Sequence, residues 1–244
     1  MSSGPSIALR PNGTHVTGIP EISEVLRQDG AILLPSVVGP AICRSTAEAV
    51  EARYRSCGNE YEHKNGVEGP HLRELVDPVL ESSARSAFLP IARQFMGAAD
   101  IVVPINHLLF RRRDDTVDAI YERDGARHMF HQDHGLVPTF FPLNAWIALS
   151  QCCGSCHGLS IVLPTPTVPT RTQNFELEEY LKVPGGHVWS PEMQPGDMLV
   201  FHQLTIHGSW ISRGKPDARF SVEFRAGRSS DAPETYRSAL WALN

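Results

Sequence analysis

A mainly β fold with flanking helices is predicted, on three observations. Helical spacing dominates only the first part of the 244-residue chain. From Ile101 onward the apolar residues come in short runs separated by Gly, Pro, Asn and Asp. One late run, Arg219-Phe220-Ser221-Val222-Glu223-Phe224-Arg225, alternates strictly, as a half-buried strand does. With 41% hydrophobic and 20% charged residues, the chain is long enough for one well-buried core and short for two, so a single domain over 1–244 is expected.

Taken in order, the Gly/Pro/Ser/Thr-rich stretch 1–18 reads as a loose N-terminal arm. Helices are expected at about 20–28 and 40–56, with a short strand near 31–35 between them. Segment 58–78, rich in His, Glu, Gly and Asn, reads as a mobile loop or lid, and a helix returns over about 79–96. Strands follow over 101–110, 144–150, 160–163, 197–202 and 219–225, with helical material near 174–182. No internal repeat is evident. The fold this implies is a double-stranded β-helix, a cupin-like jelly roll with helices packed against one sheet.

Charge and composition exclude several roles. A net charge of −5 and no long basic run argue against nucleic acid as the main partner, and equally against an anionic membrane. Arg111-Arg112-Arg113 is followed at once by Asp114-Asp115 and reads as a solvated loop. No stretch has the apolar length of a transmembrane helix, and Met1-Ser2-Ser3-Gly4 lacks the start of a signal peptide, so a cytoplasmic location is expected. Five cysteines, an odd number, suit a reducing compartment better than a disulfide framework. Cys153 and Cys156 have zinc-ligand spacing, but a second ligand pair is missing near them.

The chemistry is concentrated in two segments, His131-Gln132-Asp133 and Thr205-Ile206-His207-Gly208-Ser209. Alternate residues of an extended strand share a face, so His131 and Asp133 can hold one ion together while His207 arrives from a neighbouring strand. Two imidazoles and one carboxylate occupy one face of an octahedral metal and leave the rest open, the set associated with non-haem Fe(II) oxygenases. The spacing alone decides little, because 11 His and 11 Asp give about 0.5 chance occurrences of His-x-Asp in this length. Arg219 adds context as a candidate bidentate clamp for a carboxylate. Arg225 shares its face but is expected roughly 20 Å further along the strand, too far to compete.

On these residues the chain resembles the phytanoyl-CoA dioxygenase family of Fe(II)/2-oxoglutarate-dependent oxygenases, to which ectoine hydroxylase is also similar. The resemblance covers most of the chain. It includes the opening helix, Gly turn and strand over 22–34, the strand Trp146-Ile147-Ala148-Leu149, the Gly196-Asp197 turn before the distal His, and Arg219 at the position that binds the far carboxylate of 2-oxoglutarate. The family's usual Asn-Gly hairpin is replaced here by His157-Gly158.

The resemblance implies Fe(II) on His131, Asp133 and His207. It further implies 2-oxoglutarate held by Arg219 and Ser221, with O2 as oxidant and release of succinate and CO2. It also places Asn106 or His107 by the cosubstrate or substrate; one of the two can face inward. Trp146 either lines that pocket or fills the barrel. A carboxylate at Asp133, where related halogenases carry a small residue, implies hydroxylation or another halide-free oxidation. The expected substrate is a small or medium-sized metabolite, admitted under segments 58–78 and 111–127. Desaturation, epimerisation and ring closure stay open with the same cofactors, as does a metal-binding jelly roll that is not an oxygenase. Oligomeric state is not readable from the chain.

Overall fold

The computed structural model describes residues 7–57, 67–68, 75–103, 109–113, 121–123, 126–128, 130–133, 141–153, 156–165, 181–182, 184–212, 217–232 and 234. Among the described residues, three helices lie in the first part of the chain, after a short hairpin. Helix α1 (Ile19–Gln28) has Pro20 in its first turn and turns Ile22, Val25 and Leu26 inward, the spacing of one buried helical face. Helix α2 (Pro40–Cys57) also opens on proline. Helix α3 (Pro78–Met96) is bounded chemically: the Asp77 carboxylate accepts the N–H of Val79 at 2.7 Å, Pro78 stands where no donor is needed, and Gly97 closes the end in the left-handed conformation.

Two antiparallel sheets follow. Strands β1 (Ala8–Leu9), β2 (His15–Val16), β3 (Ala31–Leu34), β4 (Val67–Glu68), β5 (Ile101–Val102), β6 (Leu109–Arg113), β9 (Leu143–Ala148), β12 (Met198–His202) and β14 (Arg219–Arg228) form the larger one. Its order is β2-β1-β3-β12-β9-β14-β6-β4, with β5 on β14. The smaller sheet has the order β11-β10-β13-β8-β7, from β7 (Tyr121–Arg123), β8 (Ala126–His128), β10 (Gly158–Leu163), β11 (His187–Trp189) and β13 (Ile206–Ser212). This is the jelly roll expected from the sequence.

Strand alternation divides the core into two layers. Ile32, Leu34, Ala145, Ile147, Met198, Val200, Val222 and Phe224 face out of the larger sheet and pack under the helices. Their neighbours Ala31, Leu33, Trp146, Ala148, Leu199 and Phe201 face in, against Leu159, Ile161 and Leu163 of the smaller sheet. The interior of the roll therefore receives Asn144 and Trp146 from β9 and Arg219, Ser221, Glu223 and Arg225 from β14.

Four expectations need correction. The arm 1–18 is not loose over its described part: β1 and β2 pair as a hairpin, and β1 joins the larger sheet through β3. Two-residue strands are too short to show periodicity. Arg111, Arg112 and Arg113 lie in β6, paired with Ser221, Phe220 and Arg219, so the run is strand and not a loop. The proposed entrance segments likewise contribute β4, β7 and β8, and the rest of 58–74 and 114–120 lies outside the described residues. The five cysteines were expected to stay reduced, yet Cys153 and Cys156, three residues apart, are joined as a disulfide, while Cys43 and Cys152 are free and buried. No helix among the described residues is long and apolar enough to cross a membrane.

Candidate metal centre

The two histidines meet through their backbones. His131 N–H donates to His207 O at 2.8 Å and His207 N–H donates to His131 O at 2.9 Å, an isolated antiparallel bridge. Residues directly opposite in such a pair project to one side. Their rings accordingly lie with centroids 4.4 Å apart. Gln132, between His131 and Asp133, points the other way and its amide donates to Leu204 O. The strand before His207, β12, is in turn set by the Pro195-Gly196-Asp197 turn. Asp197 accepts the N–H groups of Ser36 and Gln194, both at 2.8 Å. Gly196 has φ +102°, and a Cβ there would lie 1.9 Å from Val38 O.

Asp133 completes the set. One of its oxygens, Oδ1, lies 3.6 Å from His131 Nε2 and 3.7 Å from His207 Nε2. One donor atom from each of the three residues falls within 4.8 Å of the others. Adjacent donors on an ion with bonds of about 2.1 Å stand roughly 3 Å apart, so shifts of up to about 1 Å per side chain close the set. The Thr205 carbonyl accepts from His207 Nδ1 at 2.8 Å. That bond puts the proton on Nδ1 and leaves the Nε2 lone pair facing Asp133.

Electrostatics keep these groups in the forms a metal would need. Burial lowers the pKa of His207 to about 4, with His131 adding to the shift, so the ring is neutral at ordinary pH. Burial alone raises Asp133, but the guanidinium of Arg225 and the two histidines outweigh it and hold the carboxyl well below its usual range.

The other oxygen of Asp133, Oδ2, accepts from Asn144 Nδ2 at 2.8 Å and from Arg225 Nη2 at 3.3 Å. The same Arg225 nitrogen lies 2.6 Å from Glu223 Oε1. Asn144, Glu223 and Arg225 are all buried. Arg225 is six residues along β14 from Arg219, as expected, but the inference that this takes it away from the site is wrong. Distance along β14 does not measure distance to the centre, because the second sheet brings Asp133 across the roll to meet that strand.

Arg219 is 1% exposed and stacks its guanidinium on Trp146, 5.1 Å from the ring centroid. It donates to Gly158 O and, at 3.3 Å, to Ser209 Oγ. Ser209 shares a face of β13 with His207 two residues away, which puts this guanidinium about 7 Å along the strand from the histidine pair. Ser221 Oγ and Trp146 Nε1 are buried beside it without a hydrogen-bond partner among the described residues. Asn106, His107 and His134 lie outside the described residues. His202, at the end of β12, turns away from the centre toward Phe95 of α3, with rings 5.9 Å apart.

Sequence reading overlooked Asn144 and missed the role of Arg225. The only signal available was their parity: Arg225 shares the face of Arg219, and Asn144 that of Trp146.

No family model matches the chain. It is 25% identical to the dioxygenase aneA of Aspergillus aculeatus, the match covering 89% of this chain and 74% of that protein. Among solved structures it resembles the epimerase SnoN in complex with Fe3+, alpha ketoglutarate and nogalamycin RO, with a TM-score of 0.57 and 17% identity over 86% of this chain and 84% of that one. It also resembles the non-haem alpha ketoglutarate dependent carbocyclase SnoK from nogalamycin biosynthesis, with a TM-score of 0.58 and 15% identity over 85% and 83% of the two chains. The chain shares the jelly-roll fold of these enzymes.

Proposed function

We propose that the protein is an Fe(II)/2-oxoglutarate-dependent oxygenase of the phytanoyl-CoA dioxygenase kind, acting in secondary metabolism to hydroxylate an unactivated C–H of a small metabolite. The observation that carries this is one juxtaposition. Two imidazoles and a carboxylate converge within 4.8 Å inside the roll, and a buried guanidinium stands one strand pleat away.

The residues present fit both groups. His131, Asp133 and His207 are the donor types that hold Fe(II) on one face. Arg219 offers a fork to a carboxylate, and Ser221 Oγ and Trp146 Nε1, without hydrogen-bond partners among the described residues, supply two further donors beside it. A five-carbon dicarboxylate spans the roughly 7 Å between them. When bound, Fe(II) with 2-oxoglutarate and O2 supplies the oxidation and yields succinate and CO2. The chain's own contribution is placement and dryness: Leu159, Ile161, Leu199 and Phe201 wall the interior, and the pairs made by Asp133 and Arg219 fix where charge sits.

A second reading keeps the cofactors and changes the outcome to desaturation, epimerisation or ring closure. The likeness to an epimerase and a carbocyclase favours keeping it. Within this proposal the substrate is a free small molecule, and the protein is a single cytosolic domain. The test is a turnover screen of purified protein with Fe(II) and 2-oxoglutarate against candidate metabolites, read by succinate release and product mass. A gain of one oxygen supports hydroxylation. A loss of two hydrogens or an unchanged mass supports the second reading, and no substrate-dependent succinate across a broad panel counts against both.

A further inference from the structure

We propose that Asn144 and Arg225 are positioning residues for Asp133, and that Glu223 holds Arg225 in that role; the inference rests on the metal reading of the site. A carboxylate can offer either or both oxygens to a metal. Here Asn144 and Arg225 occupy Oδ2 at 2.8 and 3.3 Å, which leaves Oδ1 to face the two imidazoles at 3.6 and 3.7 Å. Asp133 is thereby set to ligate through one oxygen, and its second coordination position is kept for another ligand.

Glu223 has a specific part in this. Arg225 alone would close on both oxygens of a single buried carboxylate as a fork. Sharing its Nη2 with Glu223 at 2.6 Å keeps it on one oxygen only. The charges agree. Around the site, the buried carboxylates of Asp133 and Glu223 stand against the buried guanidinium groups of Arg219 and Arg225. That sum is zero, and it stays zero when a divalent ion and a dicarboxylate enter together. Without Glu223 both states would carry a net buried positive charge, which is costly in a dry interior.

The experiment is Mn(II) binding to metal-free protein, followed by the electron paramagnetic resonance signal of free Mn(II), with thermal unfolding as the check on folding. Asn144→Ala and Arg225→Gln are each expected to weaken binding about 10- to 100-fold. Glu223→Gln is expected to weaken it at least about threefold, since Arg225 then competes for Oδ1. Folded variants that all bind within twofold of the parent overturn the proposal and leave the metal reading intact. A parent that binds no Mn(II) overturns both.

A second arm uses Asp133→Gly, which removes the ligand but leaves its two holders. Added formate should restore tight Co(II) binding and its absorption spectrum in Asp133→Gly, and fail to do so in Asp133→Gly/Asn144→Ala. Restoration in both, or in neither, contradicts a preformed carboxylate cradle.

Discussion

His131 and His207 exchange a reciprocal pair of backbone hydrogen bonds, 2.8 and 2.9 Å, although one precedes β9 and the other lies in β13. The proposed metal centre is therefore built on a rung of sheet, and its geometry does not depend on the side chains alone. Replacing His131 or Asp133 should remove metal binding while leaving that rung in place. His131→Ala and Asp133→Ala are expected to retain cooperative unfolding and to lose substrate-dependent succinate formation. Loss of cooperative unfolding in both would make these residues structural first.

Arg219→Lys should raise the 2-oxoglutarate requirement. A guanidinium fork becomes a point charge, and the stacking on Trp146 is lost. Losing one charge-assisted hydrogen bond is worth about 1.5–3 kcal/mol, so a rise of roughly 10- to 100-fold is expected in the concentration giving half-maximal turnover. Arg225→Lys, by contrast, should act on metal affinity and leave that concentration little changed. The reverse pattern would move the anchor to Arg225.

Much of the fold was legible because its signals are local. Pro40 marks a helix start by backbone chemistry, and alternation in 219–225 told in from out. The facing set His131, Asp133 and His207 was legible for the same reason. Arg225 was not: parity shows the face of a strand, whereas the approach of Asp133 depends on how the two sheets close. The hairpin of β1 and β2 escaped because two-residue strands carry no period, and Arg111 to Arg113 because charge suggested solvent.

Stability of the metal-free protein should fall on acidification. The unfolded chain protonates His207 near 6.5, whereas the buried ring takes a proton only near 4. Between those values the unfolded state binds more protons, so stability is lost as pH drops through that window, by up to about 3 kcal/mol. Asp133, held below its ordinary 3.8, adds a loss of the same sign at still lower pH. Urea unfolding at pH 7, 6 and 5 should show a shallower decline in His207→Gln than in the parent. Equal declines would mean that His207 is not buried neutral.

Gly196→Ala should destabilise the protein by at least about 2 kcal/mol, since φ is +102° and the new Cβ meets the Val38 carbonyl. Because the turn feeds the strand before His207, metal affinity should drop with it. Gly13→Ala is the control: φ is +83° but nothing lies within 4 Å, so only the conformational cost of about 1 kcal/mol applies. Similar losses in the two variants would argue against the close approach.

In the proposed function one Fe(II) and one 2-oxoglutarate share this interior, held by His131, Asp133 and His207 on one side and Arg219 on the other. Anaerobic calorimetric titration of metal-free protein, first with Fe(II) and then with 2-oxoglutarate, tests it most directly. The account predicts one ion per chain, one 2-oxoglutarate that binds tightly only after the metal, loss of both in Asp133→Ala, and loss of the second alone in Arg219→Ala. Binding of 2-oxoglutarate that ignores the metal, or metal binding that survives in Asp133→Ala, would contradict it.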